Sequence, residues 1–189
     1  AARQKHHSLF GIQTWVAMPK DAEDSAPGFE HADKAALPLL EGEGKQVRLI
    51  LGDAWGARAP VRTPSEMFYA DAVLAPGAAI PLPDNHEDRG IYVMEGEVAV
   101  AGDRFAAGRM LVFRPGDRVS LRAGPQGARV LLLGGATLEG PRYIWWNFVA
   151  SSKERIEAAK EAWRQEDWAH GRFRLPPGDD TAFVPLPAR

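Results

Sequence analysis

Apolar and polar positions alternate along the middle of the chain. From Met67 to Leu74, Phe68, Ala70, Ala72 and Leu74 fall on one face, and Tyr69, Asp71 and Val73 on the other. This period of two predicts a half-buried strand. Similar short runs occur at Gln46–Leu51, Gly90–Met94, Glu97–Ala101, Met110–Phe113, Arg118–Arg122 and Ala128–Leu133, with glycine, proline or aspartate in every gap. Glu95-Gly96 and Gly102-Asp103 read as turn dipeptides. Many short strands with turns between them point to an all-β sandwich or barrel rather than an α/β sheet.

The ends read differently. Leu9 to Ala17 is rich in aromatic and branched residues and predicts a further strand, stopped by Pro19. Residues 20–45 are polar and broken by glycine and proline, which predicts a linker arm. Tyr143 to Val149 is apolar on both faces, as a strand covered on both sides would be. Ser151 with Glu154 forms a capping box. A helix should follow to about Trp163, with Ile156, Ala159 and Trp163 stacked on one face. Gly171 would end any continuation, and the tail from Leu175 to Arg189 carries four prolines and should be extended.

The resulting division is residues 1–19, the arm at 20–45, a β domain at 46–149, and helix plus tail at 150–189. A length of 189 residues suits one domain with appendages. Lysine and arginine total 23 against 25 acidic residues, a formal charge of −2, which argues against direct nucleic-acid binding. The chain has no cysteine, so disulfides, thiolate nucleophiles and zinc fingers are excluded. With no signal-peptide pattern either, the expected location is the cytoplasm. Apolar runs such as Val130 to Leu133 are far too short to span a bilayer as a helix, so no membrane partner is expected.

Residues 77 to 96 carry the main chemical signal. Gly77, Pro83, Asn85, Arg89 and Gly96 match, spacing for spacing, the first cupin motif G-x5-H-x-H-x3-E-x6-G. Both glycines are in place, but the three metal-ligand positions hold Pro83, Asn85 and Arg89. Proline has no side-chain donor, asparagine is a weak ligand, and arginine opposes a cation with its own charge. Residues 108 to 120 resemble the second cupin motif with one residue inserted before Pro115. Its remaining histidine would fall near Val119 or Ser120, neither a plausible ligand. The resemblance implies an all-β cupin (double-stranded β-helix or jelly-roll barrel) with a C-terminal α-helix and a dismantled metal site.

Asn85, Arg89 and Tyr92 form the candidate pocket. One reading is an anion or carboxylate site, because an arginine fork in a partly dry cavity suits planar anions. The other, preferred, is an internal salt bridge from Arg89 to Asp84, Glu87 or Asp88. His86 and Glu87 lie one register off the motif and read as a solvated loop pair. His6 and His7 are adjacent and read as solvated; His31 reads as linker and His170 as a helix C-terminal residue. Gly42-Glu43-Gly44-Lys45 lacks the spacing of a phosphate-binding loop and reads as a turn into the next strand. Ser8 and Ser65 lack any histidine–carboxylate set at recognisable spacing. The six tryptophans read as core and lobe-interface residues.

Phe10 to Pro19, Pro60 to Pro64, the degenerate cupin core, and Ile144 to Val149 followed by Ser-Ser-Lys-Glu-Arg together resemble the pirin family. That resemblance implies a bicupin: an N-terminal barrel holding iron through three histidines and a glutamate, and a C-terminal barrel without metal. Several family members are quercetin dioxygenases, and eukaryotic ones are transcriptional co-regulators. This sequence resembles the C-terminal lobe plus, in residues 1–19, the last strand of the N-terminal cupin. It therefore implies iron and an aromatic or flavonol substrate for the complete protein, but no cofactor or catalytic residue in this chain. The expected partner is the missing N-terminal cupin segment, or a second copy through Leu9 to Ala17. The alternatives are a non-catalytic binding or regulatory module with a protein partner, and a sugar- or small-anion-binding cupin using Arg89.

Overall fold

The computed structural model describes residues 11–175, 178 and 183–187. They form two compact units, one of residues 19–139 and one of residues 11–18 with the described residues from 140 onward.

The first unit is a single antiparallel sheet of nine strands: β1 (Leu39–Gly42), β2 (Lys45–Ala54), β3 (Ala57–Arg58), β4 (Met67–Leu74), β5 (Ala79–Pro81), β6 (Asp88–Val100), β7 (Asp103–Ala106), β8 (Met110–Phe113) and β9 (Ser120–Gly135). The main ladder runs β1-β2-β4-β9-β6-β7, with β3 on β2, β5 on β9 and β8 on β6. Among the described residues it does not close into a ring, so the barrel of the sequence reading is an open, folded-over sandwich. Phe68, Ala70, Ala72 and Leu74 of β4 are all buried, as their alternation predicts. They share one core with Val47 and Leu49 of β2, Ile91, Val93 and Val98 of β6, and Leu121, Val130 and Leu132 of β9.

Strands β6 and β9 differ from the sequence reading. The sequence predicts two short strands in each place, yet each is one long strand that bends and serves both halves of the sandwich. The first part of β6 pairs with β8 and the last with β7; β9 pairs first with β5 and later with β4. Register shifts between Val93 and Val98 mark the bend, so Glu95-Gly96 is a bulge, not a turn. Gly96 sits at φ +73°, and a Cβ there would lie 2.2 Å from the Gly127 carbonyl oxygen across the ladder. Only glycine fits that crossing.

The arm also carries more structure than its composition suggests. Lys34–Ala36 is a 3-10 turn, and β1 pairs with β2 through Leu40↔Val47 and Gly42↔Lys45. By contrast, the described part of the predicted strand at Leu9 to Ala17 is not a strand. Residues 11–17 have no ladder partner among the described strands, and a strand exists only by pairing its backbone. Leu9 and Phe10 lie outside the described residues.

In the second unit, Tyr143 to Val149 is a hairpin of β10 (Tyr143–Trp145) and β11 (Phe148–Ala150), turning at Trp146 with φ +49°. The sequence reading placed it in the β domain, but its buried Phe148 and Ala150 pack with Ile156 and Ala159 of helix α1 (Lys153–Arg164). The N-cap is Ser152, one residue later than expected, its hydroxyl accepting from the Arg155 N–H at 3.3 Å. Trp145, Trp146, Trp163 and Trp168 join Phe148 and Phe173 in an edge-to-face and stacked cluster, so four of the six tryptophans are packing residues.

Candidate functional site

Strand β6 opens where the first cupin motif places its third ligand. Arg89, Ile91 and Val93 share the inward face by the period of two, so Arg89 enters the interior and is only 2% exposed. Gly134 of β9 lies directly opposite, and a Cβ there would be 2.5 Å from the Phe68 ring and 3.0 Å from Arg89 Cγ. A side chain at 134 would take the space the arginine uses.

Among the described residues the guanidinium has no carboxylate partner. Its terminal nitrogens donate to three backbone carbonyls: Pro83 at 3.4 Å, Arg114 at 3.4 Å and Asp117 at 2.6 Å. Its Nε is buried without a partner. Asp84, Glu87 and Asp88 are exposed, and Glu87 accepts from the Thr137 backbone N–H instead. The preferred salt-bridge reading is therefore wrong. The side chains of these acids alternate outward or sit in the loop, whereas the carbonyls of the 83 and 114–117 loops turn in. Their dipoles offset part of the desolvation cost of the buried charge.

The three residues of the candidate pocket do not converge. Asn85 is exposed and lines a cleft of about 490 Å³ with Asp53 to Arg58. Tyr92 is one residue out of phase with Arg89 and Ile91, on the opposite face of β6, across from Leu131. His86 is not solvated, as the sequence reading had it. It is 7% exposed and packs against Phe68 with ring centroids 5.2 Å apart, its Nε2 lacking a partner. Its neighbour Glu87 points away, so the pair is not a rebuilt ligand set.

Val119, one of two positions for the second motif's histidine, is a core residue, and the Ser120 hydroxyl donates to the Ile80 carbonyl at 3.5 Å. Among the described residues no three histidine, cysteine or acidic side chains are grouped to hold a metal. The residues at the motif's ligand positions do not fit iron: one is a cation, one is proline, and one faces solvent. His6 and His7 lie outside the described residues. His31 is exposed and bonds Asp33 at 3.1 Å; His170, beyond the end of α1, is exposed beside Asp167.

Composition and motif spacing give no sign of one further feature, a cleft of about 480 Å³ beside Trp55 at the end of β2. Its lining comes from β1, β2, Trp55 and β5, segments far apart in sequence that only the fold brings together.

No helix among the described residues is long and apolar enough to cross a membrane. Residues 69–173 match the model of the pirin C-terminal cupin domain. A pirin-like protein of Caulobacter vibrioides is 43% identical over 186 residues, covering 98% of this chain and 62% of the relative. A protein of Pseudomonas aeruginosa described as a putative quercetin 2,3-dioxygenase is 35% identical, over 93% of this chain and 55% of its own length. The crystal structure of a quercetin 2,3-dioxygenase from Acinetobacter baumannii superposes with a TM-score of 0.79 at 28% identity, over 93% of this chain and 57% of that one. This chain thus spans little more than half the length of such relatives. The all-β architecture, the two degenerate motifs and these matches agree: the chain has a cupin fold and belongs to the pirin family.

Proposed function

We propose that this chain is the metal-free cupin lobe of a pirin-type protein. The complete protein would be a quercetin-type dioxygenase acting on a flavonol or related aromatic, with its iron held by residues outside this sequence. The observation that carries the reading is Arg89. A buried guanidinium tied to three backbone carbonyls occupies the position of a ligand carboxylate and opposes a second cation by charge and by volume. The lobe's role is then to support and shape a partner segment rather than to perform chemistry. The partner is the complementary N-terminal cupin, or a second copy of the chain, in a cytoplasmic setting.

Two measurements test this. Elemental analysis of the purified chain after incubation with Fe²⁺ should give far less than one metal per chain. About one bound iron, lost on replacing His86, would overturn the reading. Oxygen uptake with quercetin should stay at the level of a buffer-plus-iron control, whereas turnover by this chain alone would place the chemistry here.

A further inference from the structure

The cleft beside Trp55 has the make-up of a ligand site. Its floor is Val47 and Ile80, both buried in the core, and its walls are Leu40, Trp55 and Pro81. Its volume, about 480 Å³, lies in the range of small-molecule pockets, roughly 300–1,000 Å³. The indole is fixed in place. Trp55 N–H donates to the Pro81 carbonyl at 3.1 Å, and the ring meets Phe68 edge-on at 5.7 Å.

Trp55 is also an unusual residue for its position. It is the first of two loop residues between β2 and β3, with φ +49° followed by Gly56 at +76°. That is the pattern of a tight hairpin turn whose first position favours asparagine, aspartate or glycine. A bulky side chain there is conformationally costly, and such outliers cluster at binding sites.

Lys45 supplies the polar group. It shares the inward face of β2 with Val47 and Leu49, and its side chain is only 21% exposed. Its ammonium donates to Glu43 at 2.5 Å, but the Glu43 side chain is 85% exposed, in the β1–β2 turn. An ion pair with so exposed a partner contributes little and is readily exchanged. Lys45 holds the Glu43 carboxyl below the usual carboxylate range, so at neutral pH Glu43 is an anion occupying an anion's place. Glu41 accepts from the Gln46 side chain. Glu41 and Glu43 line the cleft along with Lys45, so Lys45 is its one cation among the described residues, and a ligand anion would take the place that the Glu43 carboxylate now holds.

We propose that this cleft binds a small monoanionic aromatic compound, its ring on Trp55 and its carboxylate or sulfonate displacing Glu43 from Lys45. The site is independent of the metal-free reading, and iron content has no bearing on it.

Titration of the full chain with 2-naphthoate, followed by calorimetry and by the Trp55 indole N–H resonance, tests the assignment. One naphthoate per chain should bind and shift that resonance, while 2-naphthylmethylammonium should not bind. Lys45→Met should weaken naphthoate at least tenfold, and Glu43→Gln should tighten it several-fold by removing the internal competitor. If Lys45→Met does not fold, the Glu43→Gln arm and the charge preference of the unaltered chain decide. No naphthoate binding up to millimolar concentration, equal binding of the ammonium compound, or a Trp55 resonance that does not move would each overturn the proposal.

Discussion

Arg89 shows how far a single position can be read from sequence. Motif spacing placed it at a ligand site, and its charge excluded it as a ligand. What spacing could not give was its partners, because backbone carbonyls from two loops are invisible in residue identities. The acidic neighbours Asp84, Glu87 and Asp88 looked like natural counter-ions but face solvent. Arg89→Ala should therefore destabilise the first unit by about 2–4 kcal/mol, through a cavity and the loss of a donor to three carbonyls, of which Arg114 keeps the Asp117 N–H. Arg89→Lys should recover only part, since a point charge cannot reach three acceptors as a planar fork does. Urea unfolding measures both, and an unchanged midpoint for the alanine variant would mean the carbonyls rehydrate freely. His86 is hidden for a related reason: a histidine in a polar loop looks solvated in the sequence, and only the fold places Phe68 of β4 against it.

At the level of elements, β4 is legible from its alternation, and β8 from a short apolar run between turn residues. The long strands were not, since glycine marks a bulge and a turn alike. Gly96 separates the two meanings: its backbone lies against Gly127 across the ladder, with no room for a Cβ. Gly96→Ala should cost about 2–4 kcal/mol from the clash and the positive φ together, and a thermal melt within 2 °C or so of the parent would contradict the bulge. Helix α1 was placed nearly in full by its periodicity, with the cap displaced by one residue. Ser152→Ala should cost the second unit about 1 kcal/mol. The Glu154 carboxyl is held below the usual carboxylate range by a backbone N–H and then by the Ser152 hydroxyl. Its stabilisation is therefore present above the unfolded value of 4.5 and lost as pH falls through the lower folded value. Unfolding of Glu154→Gln should be less pH-dependent than the parent in that acid window, and identical profiles would show that the hydrogen bonds do not act on the folded state.

For the molecule as a whole, the family and the all-β class were legible because the motif glycines and the alternation serve the fold and outlast the metal site. The division of the chain was less so. The apolar run at Tyr143 to Val149 suggested a strand buried on both faces, whereas the hairpin packs one face against α1 and exposes Ile144 at 68% together with its cross-strand partner Val149. Ile12, Trp15 and Val16, in a segment with no ladder partner among the described strands, are half exposed as well. Apolar pairs on a two-stranded hairpin, with both its backbone edges unpaired among the described strands, are surfaces that favour association. The chain should therefore self-associate with rising concentration, and light scattering should report a mass above the 20.6 kDa of one copy. Ile144→Lys with Val149→Thr should restore the monomer without unfolding the unit, because neither side chain contributes to its core. A monomer mass for the unaltered chain at every concentration tested, with residues 11–17 protected from hydrogen exchange, would mean that these surfaces are covered within one copy.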